Sequence, residues 1–565
     1  MRILNTVTLL IIGSLSLLAQ DINPAEVTVL EGFTPEIPES EKIKETTEFK
    51  DTTEIDKSQN YSFVDKTVEV NYESRPLKAA KVSGEKLTDL PTSTIMLGGG
   101  SHFTSVSEIS YNSLRKDNYS YGLTLNHFAN RYQDGDFVLK KSLNQLNIFG
   151  KKIGEKNIFI ANLDYDKRTS NVEEDFPGPS ECPDCNLNKF SYSKFGVSVF
   201  SKELSEYKLK HHTTFFISDL NELSENQIHL STELEKNIKG FPLSLELEFN
   251  DYINYANTDS LISRQKQDVK SIHISPSVSL QKFGIDIDIG LELHCQTDLL
   301  DSTEYEVFPQ IKLSKYLVKN ILYVEGGLRH NERRHTIKSL SDDNPYIHSF
   351  GTNQSWDLES FSTMDLRNSD IDEVYVSMRN VLGKDEVFTG SVAYGHIKNM
   401  QSFVMLSYSN LFDRFVSNYQ DVWQLHADMD YKWRINDLIG VNANADYYNW
   451  GKDVVVSNRS NINAELGVSL NLEEKIKINA SVSYLGKRTS LTQLPITFDG
   501  ITCLPPFNSV DLNPQIHANI SIDYNYTKSI SAYLRINNIL NSKEEMWQGY
   551  REIGVNTWFG LSYSF

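Results

Sequence analysis

The stretch INAELGVSLNLEEKIKINASVSY, running from Ile462 to Tyr484, decides the fold. In its first half Ile462, Ala464, Leu466, Val468, Leu470 and Leu472 alternate with Asn463, Glu465, Gly467, Ser469 and Asn471. Glu473 and Glu474 interrupt the pattern. It then resumes, with Ile476, Ile478, Ala480, Val482 and Tyr484 set against Lys477, Asn479, Ser481 and Ser483. Successive side chains of a strand point to opposite faces, so each half places one face in an apolar medium and the other in water. Two such runs joined by a charged tight turn read as an antiparallel hairpin.

The same pattern holds outward from this hairpin, from Thr94 to the last residue. Ile285, Ile287, Ile289, Leu291 and Leu293 alternate with Asp286, Asp288, Gly290, Glu292 and His294. Ile516, Ala518, Ile520, Ile522, Tyr524 and Tyr526 alternate with His517, Asn519, Ser521, Asp523 and Asn525. The final run is aromatic: Thr557, Phe559, Leu561, Tyr563 and Phe565. Some connections are tight, as at Glu473-Glu474 and Thr527-Lys528-Ser529; others, at 168–190, 331–370, 451–456 and 488–511, are long and polar. A soluble sandwich also alternates. Runs of about ten residues or more instead suit tilted strands crossing a ~25 Å apolar band. The reading is all-β: a large antiparallel transmembrane barrel of about 22 strands, covering residues 92–565. It is multi-pass in the cell outer membrane, with lipid as its first partner. The C-terminus and the tight turns are expected on the periplasmic side, the long connections outside.

Composition agrees. Only 39% of the 565 residues are apolar, yet there are 28 Tyr and 28 Phe. A barrel shows lipid only every second side chain and wears aromatic girdles, so it reconciles the two. No run approaches the ~18 apolar residues of a spanning helix. The net charge of −20 argues against nucleic acid as a partner.

Residues 1–20 read as a signal peptide: Arg2, an apolar core from Val7 to Leu18, and small residues Ser16 and Ala19 near the cleavage site. Residues 21–91 read as an acidic periplasmic N-terminal segment. Asp21 to Asn60 alone holds eleven acids against four lysines, with prolines at 24, 35 and 38, a composition that builds no core of its own. Such a segment can occupy the lumen or dock a periplasmic protein partner.

Several motifs, in chain order, resemble the barrel of TonB-dependent receptors as found in Bacteroidetes. They are Leu97-Gly98-Gly99-Gly100-Ser101-His102-Phe103-Thr104, Asn344-Pro345-Tyr346, Asn537-Asn538-Ile539-Leu540-Asn541-Ser542, Trp547-Gln548-Gly549-Tyr550 and the ending Gly560-Leu561-Ser562-Tyr563-Ser564-Phe565. The resemblance implies an outer-membrane transporter-class barrel, a conduit or receptor for an unidentified solute. Family members carry a plug domain ahead of the barrel. Here residues 21–91 lack its motifs, so the resemblance is to a plugless form. Glu26-Val27-Thr28-Val29 resembles a TonB box; a chance match is the other reading, and contact with TonB stays open. The alternative function is a non-transporting scaffold subunit of an outer-membrane assembly, secretion or lipid-export complex.

The alternation assigns a polar set to the lumen: His212, His229, His273, His294, His426 and His517, with Asp286, Asp288, Glu292, Asp428, Asp430, Asp523 and Arg535. One reading is a ligand path or metal-loading site. The other is the solvated, mutually paired interior that any such barrel needs. Cys182-Pro183-Asp184-Cys185 falls in an expected external loop and reads as a local disulfide, since it lacks a thioredoxin-like setting and a second thiolate pair. Cys295 follows the apolar row after Leu293 and reads as a small hydrophobe. No nucleophile elbow, phosphate loop or acid–base pair stands out, so neither an enzyme nor a cofactor is expected.

Overall fold

Alternating strands of this number can bury their edges only by closing on themselves. The computed structural model describes residues 91–565 apart from short breaks, the longest being 174–186, 256–265 and 348–365. Within it 22 strands form a closed antiparallel barrel. The first, Ser93–Gly100, pairs on one side with Thr104–Asn112 and on the other with the last, Asn556–Ser564. The amides of Thr92 and Ser93 both donate to Phe565 O, at 2.8 and 2.9 Å. The hairpin that opened the sequence argument is Ile462–Leu472 paired with Ile476–Leu485, with Val468 opposite Ala480 and Gly467 opposite Ser481.

Closure depends on glycines. Gly98 and Gly560 are register partners across the seam. A Cβ on either would lie within 2.3 Å of Tyr533 Oη. The two glycines therefore leave the space that the buried Tyr533 phenol fills.

The faces separate as alternation requires. Leu97, Ile109, Leu163, Ile289, Leu291, Leu466, Val482, Phe559 and Leu561 are exposed. On the other face of the strand Ile285–Thr297, Glu292, His294 and Gln296 are buried. Exposed apolar residues around polar buried ones are the inverse of a soluble domain and match a wall facing lipid. Tyr119 stacks on Tyr121, Tyr316 packs on Tyr323, Tyr524 on Tyr526 and Tyr563 on Phe565, forming an aromatic girdle at the end carrying the tight turns. Two of those turns, Lys239-Gly240 and Phe283-Gly284, have φ of 53° and 92°, and 55° and 68°. Paired positive φ values give the turn whose twist suits a hairpin.

The opposite end departs from expectation in its boundaries. Strands run beyond the lipid band to Glu173 and from Leu187, inside the expected loop 168–190. Above the band both faces meet water or other loops, so polar residues such as Thr169, Ser170 and Asn171 hide the strand pattern. The expected loop 331–370 contains a seven-residue helix, α1 (Ile337–Asp343). Thr336 starts it: its hydroxyl accepts from Ser339 N at 3.0 Å, and Ser339 Oγ accepts from Thr336 N at 2.8 Å. This reciprocal box satisfies amides that the first turn leaves free. The expected loop 488–511 holds Arg488–Gln493 paired with Asn508–Leu512, and the first of these also lies parallel to residues 404–406.

Candidate functional site

Directly opposed residues of antiparallel strands share a face, so register assembles the lumenal surface row by row. Glu248 lies opposite His273, His273 opposite His294, and His294 opposite Glu306. His212 lies opposite Glu233, which faces Glu246 on the next strand. The result is a wall of interleaved imidazoles and carboxylates. His229 Nδ1 sits 2.7 Å from Asn250 Oδ1 and 3.8 Å from Glu248 Oε1. His273 Nε2 is 3.9 Å from Glu292 Oε2. Ligand atoms of Glu246, Glu248 and His273 lie within 4.8 Å of one another.

The residues singled out from sequence take these places. Asp286 is exposed beside the Phe283-Gly284 turn and accepts from Gln281 Nε2 at 2.8 Å. Asp288 pairs with Lys312 at 3.0 Å. Glu292 is buried and accepts from the Gln310 amide. His294 is buried with Nε2 2.8 Å from Glu332 Oε2. His426 Nε2 lies 3.0 Å from Asp446, its ring stacked on Tyr448 at 4.4 Å. Asp428 accepts from the Ser391 hydroxyl, and Asp430 pairs with Lys432 at 3.1 Å. His517 is half-buried, and its Nε2 has no hydrogen-bond partner. Asp523 and Arg535 form a 2.6 Å pair. Cys295 is a half-buried free thiol. Glu26 to Val29, Cys182 and Cys185 lie outside the described residues.

Sequence reasoning missed what happens at the end with the long connections. The strands Thr303–Val318 and Leu322–Arg334 pair only from Ile311 and Leu328 toward their shared tight turn. Above that point the second strand and its neighbours bring one face onto the polar face of the wall. Arg334 Nη2 donates to Gln296 Oε1 at 3.2 Å and its guanidinium lies 5.0 Å from the Tyr252 ring centre. Asn368 also donates to Gln296. His330 packs on Phe308, and Lys398 reaches Glu304 and Glu306 at 3.2 and 3.0 Å. The opposite face of this flap carries Ile371 and Ile397, packed with Val422, Trp450 and Val456.

Above it sits an apolar core shared by connections and strand ends. Phe190, Leu220, Ile337, Leu340, Tyr346, Ile347, Leu366, Phe403, Met405 and Phe415 are buried together, with Trp547 and Tyr550 against them. Phe190 belongs to the sixth barrel strand and Phe403 to the fifteenth. Strands nine places apart in a ring of 22 lie on nearly opposite sides, so this core bridges the mouth. Tyr346 stacks on Tyr550 at 3.8 Å, and Trp547 meets Phe403 and Phe415 edge-on, each at 5.3 Å. Two motifs read separately in the sequence, Asn344-Pro345-Tyr346 and Trp547-Gln548-Gly549-Tyr550, thus touch. Arg488 ties in the third connection by donating to Glu545 O at 2.8 Å and to Met546 O. Glu225 holds α1 down, accepting from Ile337 N and Lys338 N at 2.8 and 3.2 Å. Asn538, at φ 50°, donates to Ser542 O and Ile553 O at 2.7 and 2.8 Å, drawing the two ends of the last connection together.

His335, between strand and helix, is buried. Burial, and then Arg333, Arg459 and Arg334, push its imidazole down to about 3, so it is neutral at ordinary pH. Its Nε2 meets Ser369 Oγ at 2.7 Å.

No family model and no curated protein sequence matches this chain. Solved structures do. A siderophore receptor, PirA from Acinetobacter baumannii, aligns over 85% of this chain and 81% of its own, with a TM-score of 0.60 and 11% identity. The FrpB iron transporter from Neisseria meningitidis aligns over 85% and 82%, at 0.61 and 10%. The copper transporter OprC aligns over 85% and 82%, at 0.56 and 11%. At such identity the likeness concerns architecture, and it shows that this chain has the 22-strand barrel fold of outer-membrane receptors.

Proposed function

We propose that the protein is an outer-membrane receptor and conduit for a polar, cationic solute or a metal-bearing complex. The supporting observation is the pairing of an acidic, histidine-rich lumenal wall with a mouth closed by an apolar core that connections share with strand ends. A strand wall cannot open without breaking its ladder, whereas the connections that complete this core, carrying Ile337, Leu340, Tyr346, Trp547 and Tyr550, can part from the strand residues while the barrel stays closed. The negative wall would concentrate cations and repel anions. The neighbours described as iron and copper transporters agree with this solute class. A lumen of this size is otherwise a leak, so the recordings compare the chain with and without residues 21–91.

Single-channel recording in planar bilayers tests the proposal. The full chain should conduct weakly. The Tyr346→Ala/Trp547→Ala/Tyr550→Ala variant should open frequently and select cations by reversal potential, and removal of residues 21–91 should add to its conductance. A mouth variant lacking residues 21–91 that still conducts nothing would remove the conduit and favour a scaffold.

A further inference from the structure

The contact between flap and wall contains a set of groups that the transport reading does not use. Glu306 comes from the wall strand Thr303–Val318, His330 from Leu322–Arg334 and Asp370 from Asn368–Gly383. Their ligand atoms lie within 4.8 Å of one another. Asp370 is 3% exposed, and neither of its carboxylate oxygens has a hydrogen-bond partner. A buried carboxylate without hydrogen bonds is costly unless a cation compensates it. The nearest side-chain cation, Lys398 Nζ, stands 3.9 Å from Asp370 Oδ2 and is committed to Glu306 and Glu304 at 3.0 and 3.2 Å. Around the contact Glu304, Glu306, Glu332, Asp370 and Asp372 face two cations, Lys398 and Arg334, the latter 3.5 Å from Glu332. The contact is short of positive charge.

His330 is also oriented as a ligand would be. Its Nδ1 is held 2.7 Å from Asp372 Oδ1, which places the lone pair on Nε2. A carboxylate behind an imidazole fixes the ring and makes its other nitrogen a better donor. One imidazole nitrogen with two carboxylates suits a borderline cation such as zinc better than an oxygen-seeking cation such as calcium.

From this geometry we infer that Glu306, His330 and Asp370 form a binding site for a divalent transition-metal cation of the zinc type, which staples the inward-packed flap to the barrel wall. Lys398 acts as the counter-ion of the empty site and retreats to Glu304 when the metal enters. The second group, Glu246, Glu248 and His273, lies in the open wall with Glu246 exposed, and lacks a buried carboxylate without hydrogen bonds. The inference does not depend on transport, because a barrel that conducts nothing could still hold the metal.

Zinc binding to the full chain in detergent micelles tests it, by equilibrium dialysis with metal analysis and by competition with a chromophoric chelator. The expected result is one zinc per chain. His330→Ala and Asp370→Asn should each weaken binding at least a hundredfold, while His273→Ala should leave it within twofold. Lys398→Met should tighten it about tenfold by removing the competing cation. No stoichiometric zinc, or loss in His273→Ala with retention in His330→Ala, overturns the site. X-ray absorption of the zinc-loaded native chain makes the test independent of how the variants fold. A shell of one imidazole with carboxylate and water oxygens is expected; two imidazoles or any sulfur contradicts the assignment.

Discussion

At the scale of single residues the barrel seam is the least tolerant place. Gly560 faces Leu97 O and Tyr533 Oη, at 2.2 and 2.3 Å from where a Cβ would stand. Backbone on one side and a buried phenol on the other leave no room to yield. Gly560→Ala should destabilise the barrel by roughly 1–3 kcal/mol, the range for overpacking. The measurement is a urea titration of the heat-modifiable gel band, and an unchanged midpoint would contradict the packing. His335 gives a pH dependence. Its folded pKa, about 3, lies below the ordinary value near 6.5. The unfolded segment therefore binds the proton first. The neutral ring carries no penalty above pH 6.5, and stability falls as pH drops from there toward 3. At pH 5 the loss is about 2 kcal/mol. Amide exchange around 333–345, taken relative to the unstructured-chain rate at each pH, should accelerate between pH 7 and 5 in the native chain and much less in His335→Phe. Equal acceleration in both would place the effect elsewhere.

At the scale of elements α1 and the mouth core behave as one unit. Thr336→Ala removes the hydroxyl that accepts from Ser339 N, worth about 1 kcal/mol at a helix start. Seven residues cannot hold a helix alone, so exchange should rise throughout Ile337–Asp343 and leave the hairpin Ile462–Tyr484 unchanged. Trp547 is half-buried, so Trp547→Ala, which empties its contact with Phe403 and Phe415, should cost less than the ~3–5 kcal/mol of a fully buried aromatic. If the two connections and the strand ends share one core, protection should fall together at 337–347, at 403–405 with 415, and at 545–551. Loss confined to 545–551 would show separate loops. The strands were legible in the sequence because lipid and lumen sort side chains at every second position, as in Ile285 to His294. Which side chains share a face was legible for the same reason: Glu292, His294 and Gln296 are buried together on one face of their strand. The mouth was not. Tyr346 and Tyr550 lie 204 positions apart, and no local period links them. The flap was hidden too, since Asp370 and Glu306 look like ordinary polar rim residues until the separation above Ile311 and Leu328 brings them together.

At the scale of the whole molecule two environments are kept apart by one sheet. The outward rows meet lipid, the inward rows carry imidazoles beside carboxylates, and connections with strand ends span one end. Each functional reading needs that separation: the conduit needs a polar interior, and the staple needs a flap lying against the inner face of the wall. Spin-label accessibility along the strand Ile285–Thr297 tests the separation directly. In lipid bilayers, on a chain whose four cysteines have been replaced by serine, labels would be placed singly from position 286 to 294. Labels at Ile287, Ile289, Leu291 and Leu293 should collide with oxygen dissolved in lipid. Those at Asp288, Glu292 and His294 should be oxygen-poor, with water-soluble relaxers reaching only positions open to the lumen. Accessibility that rises and falls with every second residue is the predicted result; a flat profile, or one with a period near 3.6, would contradict the barrel.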